Sequence, residues 1–558
     1  MLSEQAVILL LFASLASSQT VITFSLNKTT TLLDKELFNN FINISALSTI
    51  QLDITDVNDN VSFIIFQVHS HIYNVTVSNN SNMDNSIKGY YVTGNNVGLY
   101  SSTKPKVDIF YIKNPNAFDL SLLVSVYGYG EKDPIPGGCN MEFPMPISPF
   151  MRTTYFKNYI FVDAAPARYY KDPDCLNITN VHVEFYLMYL PEKRYDAETY
   201  YNGIRNMMSL EKIIKNSYAI PKTSWTMRRM LSAYSGTGTV YVAVAKDISK
   251  PEYYSVYVPT HNYACTSPDD DNDCEILEDI LSKFICAALL FVGLFMCYFG
   301  HRFFKTEMFL FGMLSGVLIT YIVISIMADL DKSALLSASV LSGVFFGGIW
   351  VTFWWFYGIP IIAVTLPALN LGFLLSAIMY NRLPGDILLI QENFNFWTLF
   401  LLVTTLSSMI LVSMTFVSNI LCCAVLGAYA VIYPIDFYLG SNLKYIIINT
   451  VRRATVPKFN KAVLLVPFEW RDVLMVIMWI VLAISGFVFQ HYHNRGRPPF
   501  PPPPRSVRPG RPEPTYGAIQ HNNRNAEVTE SNAPRIPSGN IIDERTRLLS
   551  WVDSTYQS

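Results

Sequence analysis

Hydrophobic positions along this chain follow two patterns, which divide it near residue 284. Before that point, short apolar runs rich in Val, Ile, Phe and Tyr alternate with turn residues, as in 61–68, 107–112 and 181–189. Such runs are typical of β-strands. After it, seven apolar runs fill residues 284–489, each near the roughly 20 residues that a helix needs to cross a bilayer. The sequence therefore predicts a β-rich domain followed by an α-helical membrane domain.

The predicted spans alternate across the membrane, so a lumenal N-terminus places the C-terminus in the cytosol. The basic residues of the first loop, His301, Arg302 and Lys305, then lie in the cytosol, as the positive-inside rule expects. The seven predicted spans are Phe284–Phe299, Met308–Met327, Ala334–Phe356, Ile359–Tyr380, Phe396–Val417, Ile420–Leu439 and Val473–Phe489.

The loop 440–471 departs from that rule, because seven crossings place its basic residues on the lumenal side. Two interpretations remain open. Residues 445–456 form an amphipathic helix at the lumenal surface, or one apolar pair is re-entrant and the loop is cytosolic. The basic residues concerned are Lys444, Arg452, Arg453, Lys458, Lys461 and Arg471.

The β-rich half is predicted to contain two β-sandwich-like modules that meet at the Pro- and Gly-containing stretch 130–138. Residues 197–215 carry apolar side chains at helical spacing and predict one helix on the second module. The predicted order is a signal peptide (1–18), a first β-rich module (19–138), a second with a juxtamembrane stalk (139–283), the seven-span domain (284–489) and a disordered Pro-rich cytosolic tail (490–558).

Sugar acceptors support a lumenal position for the β-rich half. A short apolar segment, 6–15, precedes the small residues Ala16, Ser17 and Ser18, a pattern typical of a cleaved signal peptide. All six glycosylation sequons lie before residue 180, and the C-terminal tail contains none. The predicted acceptors are Asn27, Asn43, Asn60, Asn74, Asn79 and Asn177.

Four of the eight cysteines precede the membrane domain, and an oxidising lumen allows them three pairings. We favour Cys139 with Cys175 and Cys265 with Cys274, because neighbours in sequence close the shortest loops. The other four cysteines lie within apolar runs, where they serve as small apolar side chains.

The sequence shows no pattern of an enzyme. A Gly-rich phosphate loop, a nucleophile elbow and a zinc-protease helix are all missing from it. His69 and His71 alternate on a predicted strand, but no further ligand in the sequence accompanies them, so we interpret them as residues of a polar strand face rather than a metal site. We therefore expect no catalytic residues, no cofactor and no nucleic-acid partner.

Small and kink-forming residues characterise the predicted spans. The pairs Gly312 and Gly316, and Gly343 and Gly347, place glycines on one helix face and predict close helix packing. Prolines near Asn370 and Asp436 could open a helix for an ion, which makes a channel or transporter the alternative function. A G-protein-coupled receptor is less favoured, because the third span ends in aromatic residues and the cytosolic loops are very short.

The tail begins with Pro498–Pro504, a run that favours the extended polyproline II form. Within it, Phe500-Pro-Pro-Pro-Pro504 contains the core that EVH1 domains bind and offers PxxP to SH3 domains. Pro499 stands where EVH1 ligands usually carry an acid. The alternative interpretation is a stiff spacer that holds the tail away from the membrane.

Two short tail motifs predict an endolysosomal itinerary through clathrin adaptors. Glu544, Leu548 and Leu549 fit the acidic dileucine pattern, and Tyr516 with Ile519 fits the tyrosine-based pattern. A disordered segment can extend into an adaptor groove. The alternative is that the leucine pair is incidental, since such motifs are short.

Three longer motifs carry a resemblance to a known family. They are Glu131-Lys-Asp-Pro-Ile-Pro-Gly-Gly-Cys139-Asn-Met-Glu-Phe143, Pro259-Thr-His-Asn-Tyr-Ala-Cys265 and Tyr298-Phe-Gly-His-Arg-Phe-Phe-Lys-Thr-Glu-Met-Phe309. These stretches resemble the transmembrane 7 superfamily member 3 family, from about residue 60 to the last span and again at Glu544–Leu549. The membrane half also resembles the transmembrane protein 198 family.

The resemblance implies a glycosylated seven-span protein, linked to cell survival and to damping of endoplasmic-reticulum stress, with no enzymatic activity. It supplies no catalytic residues. From residues and resemblance together we expect a receptor-like or scaffold protein of the plasma membrane and the endolysosomal or secretory pathway. The expected partners are the lipid bilayer, an unknown lumenal protein or ligand, clathrin adaptors and domains that bind Pro-rich motifs.

Overall fold

The computed structural model describes residues 20–25, 35–81, 91–102, 108–139, 147–172, 174–176, 180–223, 225–265, 274, 280–383 and 387–501. Several predicted features lie outside these ranges and stay predictions: the signal peptide, the acceptors Asn27 and Asn177, and the sorting residues Tyr516, Ile519, Glu544, Leu548 and Leu549.

The first β-rich module forms two sheets. Sheet 1 has the strand order β1-β3-β8-β5-β6, and sheet 2 the order β2-β9-β4-β7. Strands β1 and β3 are parallel, and the other pairs are antiparallel. The strands are β1 (Thr20–Ser25), β2 (Glu36–Ile44), β3 (Thr49–Thr55), β4 (Phe63–Ser70), β5 (Val75–Ser78), β6 (Tyr91–Gly94), β7 (Asn96–Ser102), β8 (Asp108–Lys113) and β9 (Leu120–Tyr129).

The second module adds two more sheets and two short helices. Sheet 3 has the order β13-β12-β15-β16, with β17 also paired to β15, and sheet 4 the order β10-β11-β14. The elements are β10 (Arg152–Phe156), β11 (Tyr159–Asp163), β12 (Val181–Tyr189), α1 (Ala197–Asn206), α2 (Leu210–Asn216), β13 (Tyr218–Ile220), β14 (Arg228–Ser232), β15 (Thr239–Asp247), β16 (Tyr254–Val256) and β17 (Thr260–Asn262).

The four sheets are stacked, and a hydrophobic core lies between each neighbouring pair. Sheets 1 and 2 enclose the first core, sheets 2 and 3 with α1 and α2 enclose the second, and sheets 3 and 4 enclose the third. The outer face of sheet 4 packs on the membrane helices. The two modules therefore share a core and form one packed unit, which we call the ectodomain.

Inner strands of the stack are buried on both faces, because successive side chains point to opposite sides of a sheet. On β4, Ile64 lies in the first core and Ile65 in the second. On β15, Val242 lies in the second core and Ala243 in the third. This arrangement explains why these strands appear in the sequence as unbroken apolar runs.

The prediction of one helix over 197–215 is wrong, since the chain forms α1 and α2 with a break at 207–209. Asp196 begins α1 by accepting the backbone N–H of Thr199 at 2.9 Å. The break keeps Met207 and Met208 fully buried in the second core. Two short helices thus satisfy the apolar spacing that suggested one long one.

The interpretation of His69 as part of a polar strand face is also wrong. Its side chain is fully buried, and its Nδ1 lies 2.8 Å from Oδ1 of Asn96. Burial lowers the pKa of His69 to about 4, with the Asn96 hydrogen bond acting in the opposite direction. The imidazole is therefore neutral at ordinary pH and serves as a buried hydrogen-bonding group.

After the ectodomain, the described residues include seven helices that are long and apolar enough to cross a membrane. They are α3 (Ile280–Phe299), α4 (Phe304–Met327), α5 (Lys332–Tyr357), α6 (Pro360–Arg382), α8 (Asn393–Val412), α9 (Thr415–Leu439) and α11 (Trp470–His493). Two shorter helices, α7 (Leu388–Gln391) and α10 (Tyr445–Thr455), lie between them. The fifth span ends at Val412 rather than at the predicted Val417.

The four glycines predicted to pack helices lie where the second and third spans, α4 and α5, cross. A Cβ on Gly312 would stand 2.9 Å from Cα of Gly347, and one on Gly316 would stand 3.0 Å from Cα of Gly343. The two backbones therefore touch, as small residues permit.

Replacing Gly343 with leucine is expected to separate these two helices and lower the melting temperature of the purified protein. The leucine Cβ would lie 2.5 Å from Val317 Cγ2 and 2.8 Å from the carbonyl oxygen of Met313. The backbone of the neighbouring helix can relieve this clash only if the whole helix moves away. Gly348→Leu is the matched control, because nothing lies within 4 Å of that position. Equal melting temperatures for the two variants, measured by heating and size-exclusion chromatography, would contradict the prediction.

Both disulfide bonds of the ectodomain have the pairing that the sequence favoured. Cys139 is bonded to Cys175, 36 residues away, and Cys265 to Cys274, nine residues away. The first bond ties the connection between the modules to the loop before β12. Cys286, Cys297, Cys422 and Cys423 are free and buried among the helices.

Candidate functional site

The ectodomain contacts the membrane helices through residues 440–469, which connect the sixth and seventh spans and which we call the docking segment. Val463 pairs with the edge of sheet 4: its N–H donates to the carbonyl of Met230 at 2.8 Å, and its carbonyl accepts from Ser232 at 3.3 Å. The Val463 side chain is buried in the core between sheets 3 and 4. The docking segment is therefore part of the ectodomain's own packing.

These contacts decide between the two interpretations of the basic loop. The loop lies at the ectodomain end of the helices, so the re-entrant alternative, which places it at the opposite end, is wrong. Helix α10 occupies the residues predicted to form an amphipathic helix. Its buried arginines contact protein rather than lipid headgroups, which explains why they lie on this side of the membrane.

Two neighbouring arginines of α10 bind in different directions. Arg452 Nη1 donates to the carbonyl of Ala233 at 2.7 Å and to Ser232 Oγ at 3.1 Å, both in the ectodomain. Arg453 Nη2 donates to the carbonyls of Ile390 and Gln391, at 3.0 and 3.3 Å, in the connection between the fourth and fifth spans. Helix α10 thus lies between the ectodomain and the membrane helices and bonds to both.

A chain of polar side chains continues from the ectodomain into the fourth span, α6. Ser232 Oγ donates to Asn449 Oδ1 at 2.9 Å, and Asn449 Nδ2 donates to Asn381 Oδ1 at 2.9 Å. Asn381 Nδ2 then donates back to the carbonyl of Ile446 on α10 at 3.1 Å. All three side chains are buried, so water cannot readily replace these bonds.

A second contact is a buried charged cluster centred on Lys444. Its Nζ lies 3.5 Å from Glu192 Oε1 of the ectodomain and 4.0 Å from Asp436 Oδ2 at the end of the sixth span. The backbone N–H of Lys444 also donates to Asp436 Oδ2 at 2.6 Å. Asp472, at the start of the seventh span, accepts the backbone N–H of Asn442 at 2.6 Å. The ammonium group of Lys444 thus joins the ectodomain to the sixth span, and the nearby backbone of Asn442 bonds to the seventh.

This cluster holds more carboxylates than cations. Burial raises the pKa of Glu192, Lys444 opposes that shift, and the nearby charge of Asp436 adds to it. Oε2 of Glu192 has no hydrogen-bond partner in the part of the chain that the structure describes. The charge of Lys444, which is larger in its effect on Glu192 than that of Lys193, therefore holds the buried carboxylates together.

The structure places the predicted site residues on separate surfaces. The described acceptors Asn43, Asn60, Asn74 and Asn79 are exposed on the first module, which leaves space for glycans, and glycosylation itself stays a prediction. The packing glycines lie between α4 and α5, away from the docking segment. The structure brings none of these together with the charged cluster.

The sequence did not identify the residues through which the ectodomain contacts the membrane helices. Glu192, Asn381 and Ser232 stand in unremarkable contexts, and their partners lie far away in sequence. One signal was present: six basic residues in a loop that the positive-inside rule placed on the wrong side. Such a misfit indicates cations with partners in protein.

Comparison with known proteins gives three family matches that together span most of the chain. Residues 30–129 match the TM7SF3-like N-terminal immunoglobulin-like domain, and residues 134–268 the TM7SF3-like second immunoglobulin-like domain. Residues 286–491 match the TM7S3/TM198-like domain. The matches follow the two β-rich modules and the membrane helices.

Full-length relatives are similar over nearly the same extent. The mouse protein named Transmembrane 7 superfamily member 3 is 30% identical over 476 residues, which cover 83% of this chain and 84% of the relative. The human protein of that name is 30% identical over 464 residues, covering 80% and 81%. The rat protein is 30% identical over 511 residues, covering 89% and 87%.

Proposed function

Since this chain belongs to the transmembrane 7 superfamily member 3 family, we propose that it is a receptor-like membrane protein without enzymatic activity. Its immunoglobulin-like ectodomain binds a protein ligand in the lumen or outside the cell. Ligand binding is passed to the membrane helices through the docking segment. In the cell it supports survival and damps endoplasmic-reticulum stress.

The observation that carries this proposal is the buried polar chain from Ser232 through Asn449 to Asn381. A ligand can shift a protein between two arrangements only if it binds one of them better. A ligand on the ectodomain therefore needs specific contacts between the ectodomain and the spans in order to influence the spans. The hydrogen bonds from Ser232 through Asn449 to Asn381 supply such contacts. A flexible linker alone would leave the two parts independent.

The test uses cells that lack the protein and are exposed to an inhibitor of protein folding in the endoplasmic reticulum. Wild-type protein is expected to restore survival and to lower a reporter of the unfolded-protein response. Arg452→Met should restore less at an equal amount of protein, because its bonds to the ectodomain are lost. Lys458→Met is the control, since Lys458 is exposed in the same segment.

Full rescue by Arg452→Met would refute coupling through the docking segment. Failure of the wild type to rescue would refute the survival role. Ion or solute flux in proteoliposomes containing the purified wild-type protein would instead favour the channel or transporter.

The proposal includes an orientation that a labelling experiment can test. With the ectodomain lumenal or extracellular, a cysteine replacing the exposed Lys458 should react with an impermeant maleimide added outside intact cells. A cysteine replacing the exposed Arg302, in the loop between the first two spans, should react only after permeabilisation. The opposite result for both positions would invert the orientation.

A further inference from the structure

The end of the membrane helices opposite the ectodomain carries an aromatic pocket, which we call the far-end pocket. Its walls are His301, Phe304 and Trp354, from the first loop and the second and third spans. Phe304 and Trp354 are only 3% and 2% exposed. They reach this burial with the side chain of Phe500 packed against them.

Phe500 is the first residue of the Phe-Pro-Pro-Pro-Pro motif at the start of the tail. Its ring centroid lies 5.4 Å from that of Phe304 and 5.8 Å from that of His301, and both pairs meet edge to face. This is the geometry that aromatic pairs prefer. The ring is therefore seated in the pocket rather than lying on the surface.

A hydrogen bond holds the residue before it. His301 donates to the backbone carbonyl of Pro499, because proline has no N–H and can only accept. On its other side, Nδ1 of His301 lies 2.9 Å from Nδ2 of Asn419 on the sixth span, and the backbone N–H of His301 donates to Gln490 at 3.0 Å. An amide donor at Nδ1 leaves the ring proton on Nε2, so the tautomer suits the bond to Pro499.

We propose that the far-end pocket is a binding site for the tail's own Phe500, and that it competes for this residue with a domain that reads Phe-Pro-Pro-Pro-Pro. Domains of that class, such as EVH1 domains, take the motif into an aromatic-lined groove. A ring seated against His301 and Phe304 cannot also enter such a groove. The partner therefore binds only the fraction of molecules whose tail has left the pocket.

This competition weakens the apparent affinity of the partner by the fraction of free tail. The free energy gained by burying an aromatic ring is large enough to keep the fraction of molecules with a free tail at about one tenth or less. In the proposed orientation the pocket faces the cytosol, where such partner domains are found. Binding measured with purified protein does not depend on that orientation or on the survival role.

The experiment measures the affinity of a purified EVH1 domain for two forms of the motif. One is the full chain in lipid nanodiscs, and the other is a synthetic peptide of residues 494–512, which has no pocket. The peptide is expected to bind about ten-fold or more tightly than the full chain. Equal affinities would show that the pocket does not hold the motif, and failure of the peptide to bind would refute this class of partner.

Pocket variants test the same point within the full chain. Trp354→Ala removes one wall, and His301→Ala removes the bond to Pro499 and one ring contact. Both should move the affinity towards that of the peptide. Phe303→Ala is the control, because this exposed neighbour packs on Phe295 rather than on Phe500. Unchanged affinity in both pocket variants would overturn the proposal.

A photocrosslinking experiment tests whether residue 500 lies in the far-end pocket when no partner is present. A photoreactive benzoylphenylalanine in place of Phe500 should form its crosslinks with residues 301–308 or 350–363, identified by peptide mass spectrometry. Crosslinks confined to lipid or to other segments would overturn the proposal even if the pocket variants were unstable.

Discussion

Replacing Lys444 with methionine is expected to weaken the docking of the ectodomain by about 3–5 kcal/mol, the usual cost of removing one partner from a buried ion pair. The variant leaves Glu192 and Asp436 buried without the ammonium group that lies between them. The measurement is hydrogen exchange of the backbone N–H of Val463, which bonds to Met230 only while the ectodomain is docked. Faster exchange of this amide reports the loss.

Two further variants show whether charge is the cause. Adding Glu192→Gln to Lys444→Met should recover part of the loss, because the double variant removes one of the uncompensated carboxylates. Lys458→Met, in the same segment but exposed, should exchange like the wild type. Equal exchange in Lys444→Met and Lys458→Met would rule out the charged cluster as a source of docking energy.

The defect of Lys444→Met should also become smaller as the pH falls. Without the ammonium group, the pKa of Glu192 rises beyond the increase that burial already causes. A carboxyl whose pKa is higher in the docked state binds a proton there first, so acidification stabilises docking as the pH falls through that raised pKa. A purely steric defect would show no such dependence.

The second large effect is expected for Arg452→Met. The variant loses two hydrogen bonds from a charged donor to the ectodomain, each worth about 1.5–3 kcal/mol. The buried carbonyl of Ala233 and the hydroxyl of Ser232 then lack this donor. Undocking should expose the amides of Val463 and Ser232 together, since they share one bridge.

The adjacent arginine provides a matched comparison. Arg453→Met removes an arginine of similar burial, but one that bonds to Ile390 and Gln391 rather than to the ectodomain. Exchange should then increase around residues 387–391 and less at Val463. If both variants changed the same amides equally, α10 would be a single unit without separate contacts to the two sides.

The pattern of apolar residues along the sequence predicted much of the architecture. The membrane helices follow the predicted apolar runs closely, since a helix that crosses hydrocarbon must be apolar over a fixed length. One predicted run of the second module also agrees, since residues 181–189 form β12 (Val181–Tyr189), whereas β10, β11, β13 and β14 had not been predicted. Unbroken runs such as 61–68 also contained the information that some strands are buried on both faces.

Other local patterns were satisfied in more than one way. The apolar spacing over 197–215 fits two helices as well as one, because Met207 and Met208 reach the same core from the break. The alternation of His69 and His71 predicted that the two side chains lie on one face of a strand, but it did not predict which residues pack on that face. That face is buried because the second module packs on it, through Tyr200 and the shared Asn96.

The sequence by itself determined which segments cross the membrane and where several of the strands lie, and it favoured the observed cysteine pairing. Only the tertiary structure decided how the ectodomain contacts the docking segment, because these contacts join residues far apart in sequence. Arg452 and Ser232, for example, are 220 positions from each other. Whether such residues meet depends on how two folded surfaces fit, and no local period encodes that. For the same reason the basic residues of the docking segment looked misplaced, since a cation's partner is chosen by the folded surface around it.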